Sequence, residues 1–138
     1  MRDRNTYNQR NIEEFRRTGG KVSGSHEGRP IILLTTTGAK SGRPFTTPVM
    51  YLPVGDRYAV FASKGGAPGH PDWYHNLVAN PTVTVEVGTE KFDARATVAT
   101  GAERDELYVR QAELYPVFAE YQQKTTRQIP VVLLERIR

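Results

Sequence analysis

From Ile31 onward, short runs of apolar and β-branched residues recur at close spacing: Ile31 to Thr37, Thr46 to Pro53, Arg57 to Ser63, Thr82 to Val87, Lys91 to Ala99 and Pro130 to Arg136. Each reads as a strand. Val54-Gly55-Asp56-Arg57 and Val87-Gly88-Thr89-Glu90 separate consecutive runs, and their early glycines predict tight hairpin turns between antiparallel neighbours. Two helices interrupt the sheet. A short one is predicted over Pro71 to Ala79, with Pro71 at its entry and Asn80-Pro81 as its stop. A longer one opens on Glu103-Arg104-Asp105-Glu106, acidic enough for a first turn, and breaks or restarts at Pro116. Ahead of the sheet, Thr6 to Thr18 reads as a weakly amphipathic helix with Ile12 and Phe15 on one side, ended by Gly19-Gly20. So thin an apolar stripe predicts a loosely docked helix rather than a membrane-surface anchor.

Hairpin connections without a βαβ rhythm predict a mainly β chain, an antiparallel barrel of about six strands with flanking helices, and exclude a Rossmann domain. Residues 1–30 are expected to form an N-terminal helix and linker, and residues 31–138 the barrel domain. A length of 138 residues suffices for one core without covalent staples. The chain has no cysteine, which excludes disulfides, thiolate metal sites and a cysteine nucleophile. No apolar run approaches the ~20 residues that cross a bilayer. The first residues, Met1-Arg2-Asp3-Arg4-Asn5, lack the apolar stretch of a signal peptide, so a cytoplasmic protein is expected. A net charge of +4 points to an anionic partner. Because the basic residues are scattered, that partner is expected to be an acidic small molecule and not a nucleic acid.

The densest candidate chemistry lies in Leu34-Thr35-Thr36-Thr37-Gly38-Ala39-Lys40-Ser41-Gly42-Arg43-Pro44, a strand running into a glycine-bracketed loop. Small residues let the backbone approach a ligand, and Lys40, Ser41 and Arg43 supply donors suited to a phosphate or carboxylate. It is not a nucleotide P-loop: Ala39 precedes Lys40, Leu34 stands where the first glycine belongs, and a strand follows instead of a helix. An ordinary hairpin with solvated charges remains an equal reading of this loop taken alone. Lys40 and Lys64 both follow strand ends and adjoin glycines, the setting an anion site uses. Trp73 and Leu77 share a helical face and read as core plugs. His70 and His75 are spaced wrongly for one helical face and lack a third partner, so no metal is expected. Asp72 is suited to cap its helix. Tyr115, Phe118 and Tyr121 recur every three residues, with Gln122 close by, and are expected to share one face; Tyr108 lies further back.

Three segments together resemble one family: Thr36 to Arg43, then Ala62-Ser63-Lys64-Gly65-Gly66-Ala67-Pro68, then His70-Pro71-Asp72-Trp73-Tyr74-His75-Asn76-Leu77. They are similar to the deazaflavin-dependent nitroreductases and F420H2-dependent quinone reductases, and the resemblance runs from about Ile31 to the closing Thr125-Thr126-Arg127-Gln128-Ile129-Pro130-Val131. It implies a split β-barrel related to flavin-binding barrels and, as cofactor, coenzyme F420, a deazaflavin with a phospholactyl-oligoglutamate tail. It further implies that Ala39, Lys40, Ser41 and Arg43, with Phe45, Thr46, Thr47, Pro48, Val49 and Met50, line the tail and one side of the ring. Phe61, Ala62, Ser63, Lys64 and Gly65 would lie against the deazaflavin. Asp72, Trp73, Tyr74, His75 and Asn76 would bring the amides of a helix N-terminus near the tail phosphate. Phe118 would cover the ring, while Tyr121 or Tyr115, with Ser63, would bind the acceptor oxygen as it gains hydride.

The expected reaction is hydride transfer from F420H2 to a quinone, enone or nitroaromatic, quinones being favoured because some relatives carry tyrosine in place of Phe118 or Met50. A homodimer and a peripheral membrane contact fit the same resemblance. An FMN-dependent barrel reductase and a non-catalytic binder of F420 or another anion are the competing readings. A nucleic-acid-binding barrel would need aromatics interleaved with Lys and Arg on its strands, and that pattern is missing.

Overall fold

The structure, a computed structural model, describes residues 4–22 and 28–137, with side chains from residue 8 onward. Among these, six strands close into an antiparallel barrel: β1 (Ile31–Thr37), β2 (Pro44–Val54), β3 (Arg57–Phe61), β4 (Thr82–Val87), β5 (Glu90–Val98) and β6 (Val131–Arg136). Their order around the barrel is β1-β2-β3-β6-β5-β4. Helix α1 is Arg4–Thr18, α2 Asp72–Ala79, α3 Gly101–Leu114 and α4 Val117–Gln123, with one 3-10 turn at Lys64–Gly66. None of the described helices is long and apolar enough to cross a membrane.

Both predicted hairpins form. Val54 pairs with Arg57 and Val87 with Glu90, so each turn has two central residues. Gly55 and Gly88 take φ of 63° and 57° at the first of them. Only glycine enters that region cheaply, and such a turn matches the strand twist. β3 ends at Phe61, two residues before the expected Ser63, because Ala62 donates to the Pro130 carbonyl (3.0 Å) and Ser63 folds back on Phe61 (2.8 Å).

The period-two alternation sorts side chains into two cores. Ile32, Leu34, Val60, Val83, Val85, Phe92, Ala94, Val132 and Leu134 fill the barrel, with Trp73 and Leu77 of α2 as plugs. Their neighbours Ile31, Leu33, Met50, Leu52, Phe61, Val131 and Leu133 face outward against α1, α3 and α4. The expected loose docking of α1 does not hold. Its stripe is thin, but Phe15 is 1% exposed and Ile12 6%. Arg16 adds a bidentate bond to Glu86 of β4, at 3.0 and 2.8 Å. Two anchors and a forked ion pair fix the helix where amphipathicity alone would not.

The aromatic set also differs from expectation. Tyr115 does not continue the face of Phe118 and Tyr121, because it terminates α3 with φ −135° and ψ 90°, and Pro116 starts α4 in a new direction. Tyr108 helps to join the two helices. Its hydroxyl donates to the Phe118 carbonyl at 2.6 Å, and burial pushes its pKa up to about 12.

Candidate active site

A cleft of about 1240 Å³ opens between α1, the β1–β2 loop, β2, the Ser63–Gly65 segment, the start of α2 and α4. That exceeds the roughly 300–1,000 Å³ of an ordinary small-molecule pocket. It suits a flat ring with an extended tail.

The loop after β1 is built by its own polar groups. Gly38 donates to the Arg43 carbonyl (2.7 Å) and Gly42 back to Gly38 (3.0 Å). A Cβ at Gly38 would lie 2.5 Å from Ser41 Oγ and 2.8 Å from the Phe45 ring, so any larger residue would have to displace both side chains. Asn76 of α2 ties this loop down. Its Oδ1 accepts from the Ala39 amide (3.0 Å) and its Nδ2 donates to Thr36 Oγ1 (3.1 Å). The contribution of Asn76 is therefore its buried side chain rather than a free amide, and the Ala39 amide is already spent.

The remaining walls combine charge with apolar surface. Lys40, Ser41, Phe45, Thr46, Thr47, Pro48, Val49 and Met50 line one side. Phe61, Ser63, Lys64 and Gly65 form another, with Asp72, Trp73, His75 and Asn76 at the α2 end and Phe118 and Tyr121 from α4. Lys40 and Lys64 are exposed and make no ion pair among the described residues. Lys64 has φ of 47°, the one left-handed non-glycine residue among those described. Such backbone persists where surroundings over-determine it, and it collects at functional sites. Asp72 is the lone carboxylate among the lining residues. It does not cap its helix: Pro71 occupies the cap position and no side-chain cap bond forms. The first-turn amides beside Asp72 and Trp73 are thereby left unclaimed by a side chain.

Four expected site residues lie outside the cleft. Arg43 is exposed at the end of the loop without lining the cleft, and Ala62 is fully buried with its carbonyl accepting from Arg127. Tyr74 packs its ring on His70 at 4.7 Å. Tyr115 stacks under the Arg29 guanidinium at 5.6 Å. Gly66 makes room for α4: a Cβ there would meet the Tyr121 carbonyl at 2.9 Å. In the other direction, Asn8, Gln9, Ile12 and Arg16 of α1, together with Arg29, line the cleft without having been expected there. The signal existed, since residues 8, 12 and 16 recur at i, i+4 on one helical face.

His70 and His75 approach to 5.6 Å between ring centroids although only His75 is in the helix. His70 Nδ1 lies 3.0 Å from Arg127 Nη1. An arginine can only donate, so Nδ1 is the acceptor and carries no proton. Burial first, then the charges of Arg127 and His75, hold the His70 pKa below the usual imidazole value. With the folded value depressed, the unfolded chain binds the proton more readily. Stability is then present above the unfolded value of about 6.5 and is lost as pH falls through the folded one. His70→Asn, which keeps an acceptor near Nδ1 but does not titrate, should lose less stability on acidification, as read by melting temperatures between about pH 5 and 8. Parallel curves for variant and wild type would show that His70 is not the titrating group.

A family profile described as F420H(2)-dependent quinone reductase matches residues 7–136. An F420H(2)-dependent quinone reductase of Mycobacterium tuberculosis strain H37Rv is 41% identical over 128 residues, covering 88% of this chain and 85% of the relative. Among solved structures, an F420-H2 dependent reductase (FDR-A) superposes with TM-score 0.71 at 49% identity, over 78% of this chain and 95% of that one. A second, described as a domain-swapped dimer, gives TM-score 0.73 at 43% identity, over 92% and 96%. A profile match along nearly the whole chain, joined by relatives at this level of identity, makes the chain a member of the F420H(2)-dependent quinone reductase family.

Proposed function

We propose that this protein binds F420H2 in the cleft and passes hydride to a quinone-type acceptor. The observation that carries the reading is a pair of hydroxyls, on Tyr121 and Ser63, that line the cleft and make no hydrogen bond among the described residues. Both stand beside apolar surface from Phe61, Phe118 and Met50, and Lys40 and Lys64 border the same space. Bound F420H2 supplies a hydride from its reduced deazaflavin ring. The chain's part is to hold the ring, satisfy the tail and stabilise the oxygen that gains charge.

Each role has a structural basis. Phe61 and Phe118, edge to face at 5.8 Å, give a rigid apolar wall for a flat ring. Lys40, Lys64 and the first turn of α2 supply positive charge and donors to the phosphate and glutamate groups of the tail. Tyr121 and Ser63 donate to the acceptor oxygen, where a hydrogen bond strengthens as negative charge develops. Quinones come first as acceptors because the family name specifies them; enones and nitroaromatics carry an oxygen that the same donors fit. The likeness to a domain-swapped dimer supports a homodimer, which light scattering on the purified chain tests.

Steady-state reduction of menadione by F420H2 decides the reading, and absence of turnover with intact F420 binding would leave a non-catalytic binder. Tyr121→Phe should lower kcat tenfold or more, about 1.4 kcal/mol, with little change in melting temperature. Tyr115→Phe should leave turnover unchanged, since Tyr115 lies outside the cleft. Full activity in Tyr121→Phe would remove that hydroxyl from the chemistry.

A further inference from the structure

Arg127, outside the cleft, spends its guanidinium on the segment that follows β3. Nε donates to the Ala67 carbonyl (3.0 Å), Nη2 to the Ser63 carbonyl (2.9 Å), and Nη1 to the Ala62 carbonyl (3.2 Å) and to His70 Nδ1 (3.0 Å). This segment has left the sheet, so its carbonyls have no ladder partners to donate to them. Internally it holds only the tight turn from Ser63 to Gly66 (2.9 Å) and from Lys64 to Ala67 (3.1 Å). Arg127 is itself fixed from behind: Gln122 of α4 donates to its carbonyl (2.8 Å), and the Gln122 oxygen accepts from Arg104 of α3 (2.8 Å). A planar fork anchored at its base and bonded at every nitrogen is a template for backbone shape.

We propose that Arg127 is a positioning residue for the cofactor: its guanidinium sets the Ala62–Ala67 backbone, holds Lys64 in its left-handed conformation, and so places Lys64 and the Ser63 hydroxyl in the cleft. The inference rests on the F420 reading above. Two features favour it over a plain stabilising role. The carbonyls Arg127 holds flank Lys64, whose φ of 47° requires outside support. Moreover, Lys64 and Ser63 face the cleft while the guanidinium that braces them does not.

A lysine at position 127 keeps the charge but presents one nitrogen in place of three. Arg127→Lys should therefore raise the F420 dissociation constant about tenfold, measured by fluorescence titration, with Arg127→Ala at least as weak. Free ethylguanidinium added to Arg127→Ala should recover part of the lost affinity. In a Lys64→Ala background, the further loss from Arg127→Lys should shrink well below its value in the wild type, because the brace then has less to place. If Arg127→Ala fails to fold, Arg127→Lys and its double variant decide. Wild-type affinity in Arg127→Lys, or an equal fold-loss in both backgrounds, would overturn the positioning role. No F420 binding by the wild-type chain would overturn this inference and the cofactor reading together, whereas normal wild-type binding with unchanged variants removes Arg127 alone.

Discussion

Replacing Lys40 and Lys64 together with alanine should weaken F420 binding about thirtyfold or more at low salt. Both lysines are exposed, so each contact with the tail is set nearer the ~1 kcal/mol of a solvated pair than the ~3 of a shielded one. Two such losses sum to about 2 kcal/mol, and each 1.4 kcal/mol is tenfold. The salt dependence of affinity should flatten in the double variant, since screening acts on the charges removed. Arg43→Ala is the control: it removes a cation of the same loop that does not line the cleft, and affinity should hardly move. Lys64→Gly separates charge from backbone. At φ 47° an L-residue carries a cost of roughly 1–2 kcal/mol that glycine escapes. This variant should be more stable than wild type in urea yet bind F420 more weakly. Titration of all three variants against F420 settles the matter, and unchanged affinity in the double variant would return the loop to an ordinary hairpin.

What the sequence disclosed follows from what repeats. Strands announce themselves by period two and hairpins by glycine at the first turn position, so Ile31–Thr37, Thr82–Val87 and both turns lie where expected. Helix α2 likewise has its proline entry and its Asn80-Pro81 stop. The phosphate-suited loop and Lys64 were visible as cations beside glycine, and Phe118 and Tyr121 as part of a three-residue repeat. Single polar residues acting over long range have no such signature. Asn76 is 37 residues from Ala39, and Arg127 is 64 from Ser63. Nothing in their local sequence says which carbonyl or amide each will meet. Tyr115 failed for the opposite reason: a three-residue repeat predicts a shared face only while the helix continues, and Pro116 ends it. Helix α1 was undervalued because its attachment depends on Glu86, 70 residues on from Arg16. The barrel was thus readable from pattern, and its cleft lining in large part through the resemblance to a family. The braces that hold that lining in place were not.

The last expectation concerns Phe118, where fold and site share one side chain. Its ring is 5% exposed and stands edge to face with Phe61 (5.8 Å) and Tyr121 (5.3 Å). Phe118→Ala should cost about 3–5 kcal/mol, the transfer term of the ring plus the cavity it leaves. Helix α4 would nevertheless stay attached. The Tyr108 hydroxyl bonds the Phe118 backbone carbonyl, and Gln122 accepts from Arg104 and from the Ile129 amide, contacts that a side-chain truncation does not remove. The loss should therefore fall as a lower urea midpoint with an unchanged m-value, the mark of a weakened but still cooperative fold. Activity responds separately. Without the Phe118 ring, Tyr121 loses an edge contact that orients it, so kcat should drop even well below the unfolding midpoint. Phe118→Leu restores most of the apolar volume and should cost no more than ~1.5 kcal/mol. It offers no aromatic edge, so its kcat should recover less than its stability. If kcat and stability return together in Phe118→Leu, the ring serves packing alone, and the orientation of Tyr121 is set by the helix backbone.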